Sequence, residues 1–388
     1  MIVTYRYRIY PTKEQERKLK KTFGCVRFVW NYFLARQNEI YKTQKVSPNT
    51  YEWIRHLQKH LKKEYPWLKE VDKFALENQI KRLVEAFEKF FNKQAKYPKF
   101  KRKKSNYFSY TTNFTNGNIE IDFGELATDP KKKRCWGRIK LPKLGWVKAR
   151  IHRIFEGKIK TATVKLLPNG YFYVSIAVEQ DVVDNPNMPK TPANFAIAFD
   201  LGVKEFVVDS NGRHIENPKI LSKYEKRIKK LQRELSRKKV GSRNFEKTRL
   251  KLAKLYEKVA NIRLDYLHKL SSQIVHENQV IICEDLKTKN LVRNHNFAKS
   301  ILDVSWSKFV EMLEYKSEWY GRTFMRVPSN FPSSQICSNC GYRNEQVKDL
   351  KIRVWQCPVC GMVHDREENA AKNLLKEGLS RLGITISV

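Results

Sequence analysis

No stretch of this 388-residue sequence approaches eighteen consecutive apolar residues, which argues against a membrane-spanning helix. Residues 1–10 alternate like a strand and contain no continuous apolar core of the secretory kind, so no signal peptide is expected and a cytoplasmic location is the default. Cysteine is sparse. Of the seven, four cluster near the C-terminus, while Cys25, Cys135 and Cys283 are scattered in apolar or basic contexts, which does not resemble a disulfide framework. Acidic residues are also few. Against 77 Lys+Arg stand 40 Asp+Glu, giving a formal net charge of +37 and a pI near 9.9, so a polyanionic partner is expected. A hydrophobic fraction of 41% with 12% aromatics is enough to bury the cores of two or three domains, which excludes a disordered basic tail.

The cysteine cluster reads Cys337-Ser338-Asn339-Cys340 and Cys357-Pro358-Val359-Cys360, with sixteen residues between the pairs. That is the C-x2-C…C-x2-C spacing in which two tight knuckles present four thiolates to one structural zinc ion. With four cysteines closing the tetrahedron, His364 is left out of the metal site. Asp365, Glu367 and Glu368 follow within a few residues. A carboxylate cluster beside a zinc ribbon in so basic a chain suggests an enzyme that cuts nucleic acid.

Along the chain, the opening strand stops at Pro11, and Thr12-Lys13-Glu14-Gln15 reads as a capping box that starts a helix. Further helical patterns cover 51–61 and 72–92. Residues 89–104 then interleave lysines with Phe90, Phe91, Tyr97 and Phe100. Such a mixture can neutralise phosphates and stack on bases, the alternative being a solvated loop with core aromatics. From 107 to 179 the period switches to two, with turns at Asn116-Gly117, Lys143-Leu144-Gly145 and Pro168-Asn169-Gly170, and a small antiparallel barrel is expected. A proline-containing linker over 182–192 precedes strands at 194–200 and 203–209 and a third after Ser210-Asn211-Gly212. Two basic helices over 218–239 and 242–276 follow. The second carries Leu252, Leu255, Val259, Ile262, Tyr266, Leu270 and Ile274 at core spacing. A short strand at 279–283, a helix at 308–320, a strand at 323–327 and a last helix just after Asp365 complete the reading.

Three carboxylates stand where chemistry could use them. Asp200 ends the apolar run Phe195-Ala196-Ile197-Ala198-Phe199, Glu284 ends Val280-Ile281-Ile282-Cys283, and Asp365 begins the final helix. An unpaired charge at the end of such a strand is costly unless a cation accompanies it, and helix N-terminal amides favour an anion. Taken singly, each is open to a plainer role as turn, cap or salt-bridge residue. Their order, strand, strand and helix start with a zinc ribbon inserted before the last, matches the RNase H-like fold. There, carboxylates converge on two divalent ions. Asp285, Glu367 and Glu368 read as structural neighbours.

Four segments carry a resemblance to a known family: Phe199-Asp200-Leu201-Gly202-Val203-Lys204, Ile282-Cys283-Glu284-Asp285-Leu286, residues 331–341 around the first cysteine pair, and residues 364–373 from His364 to Asn373. They closely resemble signatures of TnpB, the insertion-sequence-encoded RNA-guided DNA endonucleases related to compact type V CRISPR effectors. Residues 8–12, 24–31, 72–76 and 141–145 extend the likeness to nearly the whole chain.

The resemblance implies a multidomain α+β protein: a wedge β-barrel (1–11 and 106–185) with an inserted helical recognition domain (12–105), a linker (186–193), and a RuvC-type nuclease domain (194–336 and 362–388) interrupted by the zinc ribbon (337–361). It implies catalytic acids Asp200, Glu284 and Asp365 holding Mg2+, two ions in number, beside the structural Zn2+. The implied partners are a noncoding guide RNA and double- and single-stranded target DNA, with one protein chain per ribonucleoprotein and no membrane. Lys73, Thr115, Asn116 and Tyr51 fall in segments matching those that read a short motif on the target duplex. Lys101, Arg102, Lys103 and Lys104 belong to the basic run. The family usually has a second Asp where this chain has Glu367, a small residue where it has Phe199, and a polar uncharged residue where it has Glu77. A cleavage-dead RNA-guided repressor and a DNA-joining transposase are the competing readings. All three acids are present, and no tyrosine nucleophile with a paired His motif is evident.

Overall fold

The computed structural model describes residues 1–44, 47–103, 108–127, 134–180, 192–202, 204–285, 305–349 and 351–384. Most of the expected linker, together with Lys104 and Val203, lies outside them. The chain divides into two compact units, Met1–Val182 and Val183–Val388.

The first unit opens with β1 (Ile2–Tyr10) and a long helix, α1 (Lys13–Gln44). The capping box forms as read: Thr12 N–H donates to Gln15 Oε1 at 3.0 Å and Gln15 N–H to Thr12 Oγ1 at 3.3 Å. Helix α2 (Thr50–His56) runs on through a π-turn over Leu57–Leu61. Helix α3 (Lys73–Phe91) is capped by Asp72, whose carboxylate accepts from Ala75 N–H. Seven strands follow the order β2-β6-β7-β1-β5-β4-β3, with β2 Phe108–Asn113, β3 Glu120–Asp122, β4 Cys135–Leu141, β5 Gly145–Ile151, β6 Lys158–Leu166 and β7 Phe172–Glu179. Every pairing in the sheet is antiparallel. Among the described residues the edge strands β2 and β3 are not paired with each other, so the ladder is an open sheet rather than a hydrogen-bonded closed barrel. Alternate residues such as Val147, Ala149, Val164, Val174 and Ile176 point inward and share one core with Leu19, Phe23, Phe33, Leu76, Leu83 and Phe87 of the helices.

The second unit is built on a five-stranded sheet of order β10-β9-β8-β11-β12: β8 Asn194–Asp200, β9 Glu205–Asp209, β10 His214–Glu216, β11 Asn278–Glu284 and β12 Thr323–Val327. Strands β8, β9 and β10 form an antiparallel meander, whereas β8, β11 and β12 run parallel. One face packs Ile197, Phe199, Ile281 and Cys283 against helices α5 (Arg243–Glu277) and α6 (Trp306–Trp319) through Leu267, Leu270, Ile274, Phe309 and Leu313. The opposite face packs Ala198, Val280, Ile282 and Val327 against Leu374 and Leu379 of α7 (Arg366–Arg381). A fully buried aliphatic side chain of this kind contributes about 1.5–3 kcal/mol.

Helix α4 (Ile220–Ser236) pairs with the first half of α5 through Ile220, Ile228, Leu255 and Val259. Of the apolar positions read as core in α5, Leu255, Val259, Leu270 and Ile274 are buried, while Ile262 is 37% exposed.

Candidate active site

Strand alternation decides where the carboxylates point. Asp200 shares its side of β8 with Ala198, and Glu284 shares its side of β11 with Ile282, so both face α7. The parallel register pairs Phe199 with Cys283, which puts Asp200 and Glu284 side by side at the ends of adjacent strands. Asp365 caps α7 itself, its Oδ1 accepting from Glu367 N–H and Glu368 N–H at 3.0 Å each. The structure therefore sets Asp200 beside Glu284, with the Asp365 charge acting on Asp200, while the three carboxylates are not gathered as tightly as the ribbon cysteines.

Their electrostatics follow from that crowding. Burial pushes Asp200 up to about 6, with the Asp365 charge adding to the rise, and the Arg366 and Arg353 guanidinium groups holding it down. Burial likewise pushes Glu284 up to about 7, reinforced by the charges of Asp200 and Asp285. Like charges sharing a recess disfavour full ionisation. Glu367, the departure from the family's Asp, is ion-paired with Arg353, and Asp285 lies 3.6 Å from Arg326.

The four cysteines gather as the spacing predicts. Their Sγ atoms lie within 4.8 Å of one another, the one such group of three or more metal-ligating side chains among the described residues. Cys337–Cys360 and Cys340–Cys357 each approach to 3.6 Å, close to the ~3.8 Å edge of a tetrahedron with Zn–S bonds of ~2.3 Å. The two knuckles match: Gly341 N–H donates to Cys337 O and Gly361 N–H to Cys357 O, both at 2.9 Å, with both glycines at positive φ where a side chain would be strained. His364 is not one of the four ligands, as expected, yet its Nε2 sits 3.0 Å from Cys337 Sγ, and its ring packs on Trp355. Strand β14 (Val363–Asp365) pairs with β13 (Val354–Gln356) and leads straight into Asp365.

Asn369 and Asn373 were not singled out by sequence reasoning. Both are buried on α7 and hydrogen-bonded to the backbone of the first knuckle. The available signal was two amides spaced four and eight residues after Asp365 in a helix otherwise filled with Ala370, Ala371 and Leu374.

The expected nucleic-acid residues all lie in the first unit. Tyr51 is 76% exposed at the start of α2. Lys73, at the first turn of α3, places its ammonium over its neighbour Phe74. Thr115 and Asn116 form an exposed turn in which Thr115 N–H donates to Asn118 Oδ1 and Asn116 takes φ +47°. Asn78 of α3 donates to Thr111 O and Asn113 Oδ1 at 2.9 Å each, tying that helix to the strand leading into the turn. Arg102 and Lys103 are exposed. Lys101 is exposed as a residue too, but its ammonium packs 3.9 Å from the Trp30 ring centre, where local desolvation lowers its pKa to about 8, and Asn31 bonds both its backbone N–H and its carbonyl.

A family model described as a probable transposase matches residues 174–295, a Cas12f1-like TNB domain matches 306–374, and a helix-turn-helix domain matches 1–45. Over that last stretch the described structure has one strand and one continuous helix. The chain is 36% identical to a Streptomyces pristinaespiralis protein named as an RNA-guided DNA endonuclease, the alignment covering 97% of this chain and 89% of that one. It is 30% identical to InsQ of Escherichia coli K12, named likewise, over 96% and 92% of the two chains. Its fold is similar to that of the protein in a cryo-EM structure of a Cas12f1–sgRNA–target DNA complex, with a TM-score of 0.61 at 13% identity, covering 96% of this chain and 98% of that one. With full-length relatives at this identity and the three acids and four cysteines in place, the chain belongs to the TnpB family.

Proposed function

We propose that this protein is an RNA-guided endonuclease that cleaves target DNA beside a short duplex motif, using a RuvC-type carboxylate site. The single observation that carries the reading is the placement of Asp200 and Glu284 side by side at the carboxyl ends of two adjacent parallel strands, with Asp365 at the N-terminus of the helix packed on them and its charge acting on Asp200. The order β10-β9-β8-β11-β12, antiparallel then parallel, supports an RNase H-like reading of the sheet. The names of the full-length relatives support the same activity.

The three acids offer hard oxygen donors whose mutual repulsion is relieved by a cation, which fits Mg2+ and not a soft metal. Asp200, Glu284 and Asp365 would hold two such ions, which would supply the Lewis acidity that an in-line phosphodiester displacement by water calls for. Asp200 and Glu284 hold their oxygens on strand ends, and the cap bonds of Asp365 fix its rotamer before substrate arrives. The ribbon cysteines form a closed thiolate set that would take Zn2+ as a structural ion.

The first unit supplies the wedge sheet and recognition helices of this reading. Tyr51, Lys73, Thr115 and Asn116 face the target duplex, while Lys101, Arg102, Lys103 and Lys104 serve the basic surface. In the second unit Arg227, Lys230, Lys251, Lys254 and Lys258 line a shallow groove of about 640 Å³ between α4 and α5, suited to an RNA backbone. Guide RNA and double- and single-stranded DNA are thus the partners, in a ribonucleoprotein with one protein chain, working in the cytoplasm. The test is to sequence the RNA that co-purifies, reprogram its guide segment, and challenge the complex with matching DNA carrying randomised flanks. Cleavage that ignores the guide would overturn the reading.

A further inference from the structure

Asn369 is 1% exposed, yet neither end of its amide is idle. Its Oδ1 accepts from Ser338 N–H at 2.9 Å and its Nδ2 donates to Ile336 O at 2.7 Å, so the side chain brackets the backbone of Cys337. One turn on, Asn373, 4% exposed, donates to Ser333 O at 2.8 Å and Ile336 O at 2.6 Å. Lys376 Nζ reaches Ser338 O at 2.5 Å. Residues 365, 369, 373 and 376 form one stripe along α7, because positions three and four apart on a helix are neighbours. Asp365 heads the stripe that grips the first cysteine knuckle.

Burying two amides in a helix is unfavourable unless both are fully bonded, and asparagine is itself a poor helix former. What the amides supply is direction: they fix the knuckle to α7 in one geometry, and the same helix fixes Asp365. A second link runs on the other side, where His364 touches Cys337 Sγ and is followed directly by Asp365.

We propose that Asn369, assisted by Asn373, is a positioning residue that couples the four-cysteine knuckle to Asp365, so that zinc in the ribbon and divalent cations at the carboxylates strengthen each other's binding. The inference rests on the carboxylate reading above. Linkage makes the effect reciprocal: whatever zinc does for the carboxylate site, a cation there does for zinc.

The test uses the full-length, zinc-loaded ribonucleoprotein. Mn2+ binding is titrated by loss of the free-ion EPR signal, with Asp200→Ala identifying the ions that belong to the carboxylates. Zinc release to a zinc-selective chelator is timed with and without saturating Mg2+. In the wild type, Mg2+ slows zinc release severalfold, and Asn369→Ala weakens Asp200-dependent Mn2+ binding by about tenfold and abolishes that slowing. Should Asn369→Ala fail to fold, Asn373→Ser, which keeps the Asn369 bracket, shows the same changes in smaller degree. Equal slowing in wild type and variants, or none in a wild type that binds Mn2+ through Asp200, would overturn the coupling. Absence of any Asp200-dependent Mn2+ binding would instead defeat the carboxylate reading beneath it.

Discussion

Gly378 lies against Ile282 so closely that a β-carbon on the glycine would stand 2.6 Å from Ile282 Cγ2. The contact presses the last turn of α7 onto the strand that ends in Glu284. Gly378→Ala gains about 1 kcal/mol of helix propensity but forces an overpacked contact costing about 1–3 kcal/mol, in a place where Ile282 is fully buried. The expected result is a lower melting temperature. A raised one would mean that helix and strand do not meet this way.

Asp200→Ala, Glu284→Ala and Asp365→Ala should each abolish DNA cleavage while leaving guide-dependent DNA binding nearly intact, since they remove cation ligands and not phosphate contacts. Asp365→Ala should also cost about 1 kcal/mol of stability through its lost cap, which the other two lack. Cleavage and filter-binding assays on the three variants separate these effects. Strong metal-dependent cutting by any one of them would remove that residue from the site.

The raised values of Asp200, about 6, and Glu284, about 7, fix a sign for pH. Without divalent ions the folded protein holds protons that the unfolded chain has already released, so this contribution to stability is complete below about pH 4 and is lost as pH rises through about 7. Cation binding displaces those protons, so Mg2+ should stabilise the protein more at about pH 8 than at about pH 6. Thermal melts with and without Mg2+ at the two pH values measure the difference. A gain that is larger at the lower pH would contradict the assignment.

Replacing Cys340 by Ser should lower zinc content and folding yield, because a closed thiolate set contributes to folding directly. Elemental analysis of the purified wild type should find one zinc per chain. Folded protein free of zinc would refute the site.

Neutralising Arg102 and Lys103 together should weaken nucleic-acid binding across all sequences and flatten its salt dependence, as for phosphate contacts. Lys73→Ala or Asn116→Ala should instead change which flanking motif permits cleavage. Lys101→Ala should do less to salt dependence than its neighbours and more to stability, since its stem and ammonium pack on Trp30. Cleavage of a randomised flank library by each variant, beside binding at two salt concentrations, distinguishes the roles.

Much of this was legible in the sequence for simple physical reasons. Apolar runs ending in Asp200 and Glu284 could only be strands with charged ends, and C-x2-C spacing admits few geometries. The reciprocal bonds of Thr12 and Gln15 depend on neighbours three residues apart. What escaped depends on contacts distant in sequence. Nothing local tells that Asn369 will meet Ser338, or that Trp30 will hold Lys101, because those pairs are 31 and about seventy residues apart. That the edges β2 and β3 do not pair with each other among the described residues has a related reason: alternation specifies strands and faces but not how a sheet closes.

The pairing of Val354 with Asp365 makes the ribbon a poor candidate for a swappable cassette. Side chains on a strand change face with every residue, so inserting one residue between Cys360 and Asp365 would turn that carboxylate away from its partners even with all four thiolates in place. In this chain the spacing after the last cysteine is as much a part of the nuclease as the acid it delivers.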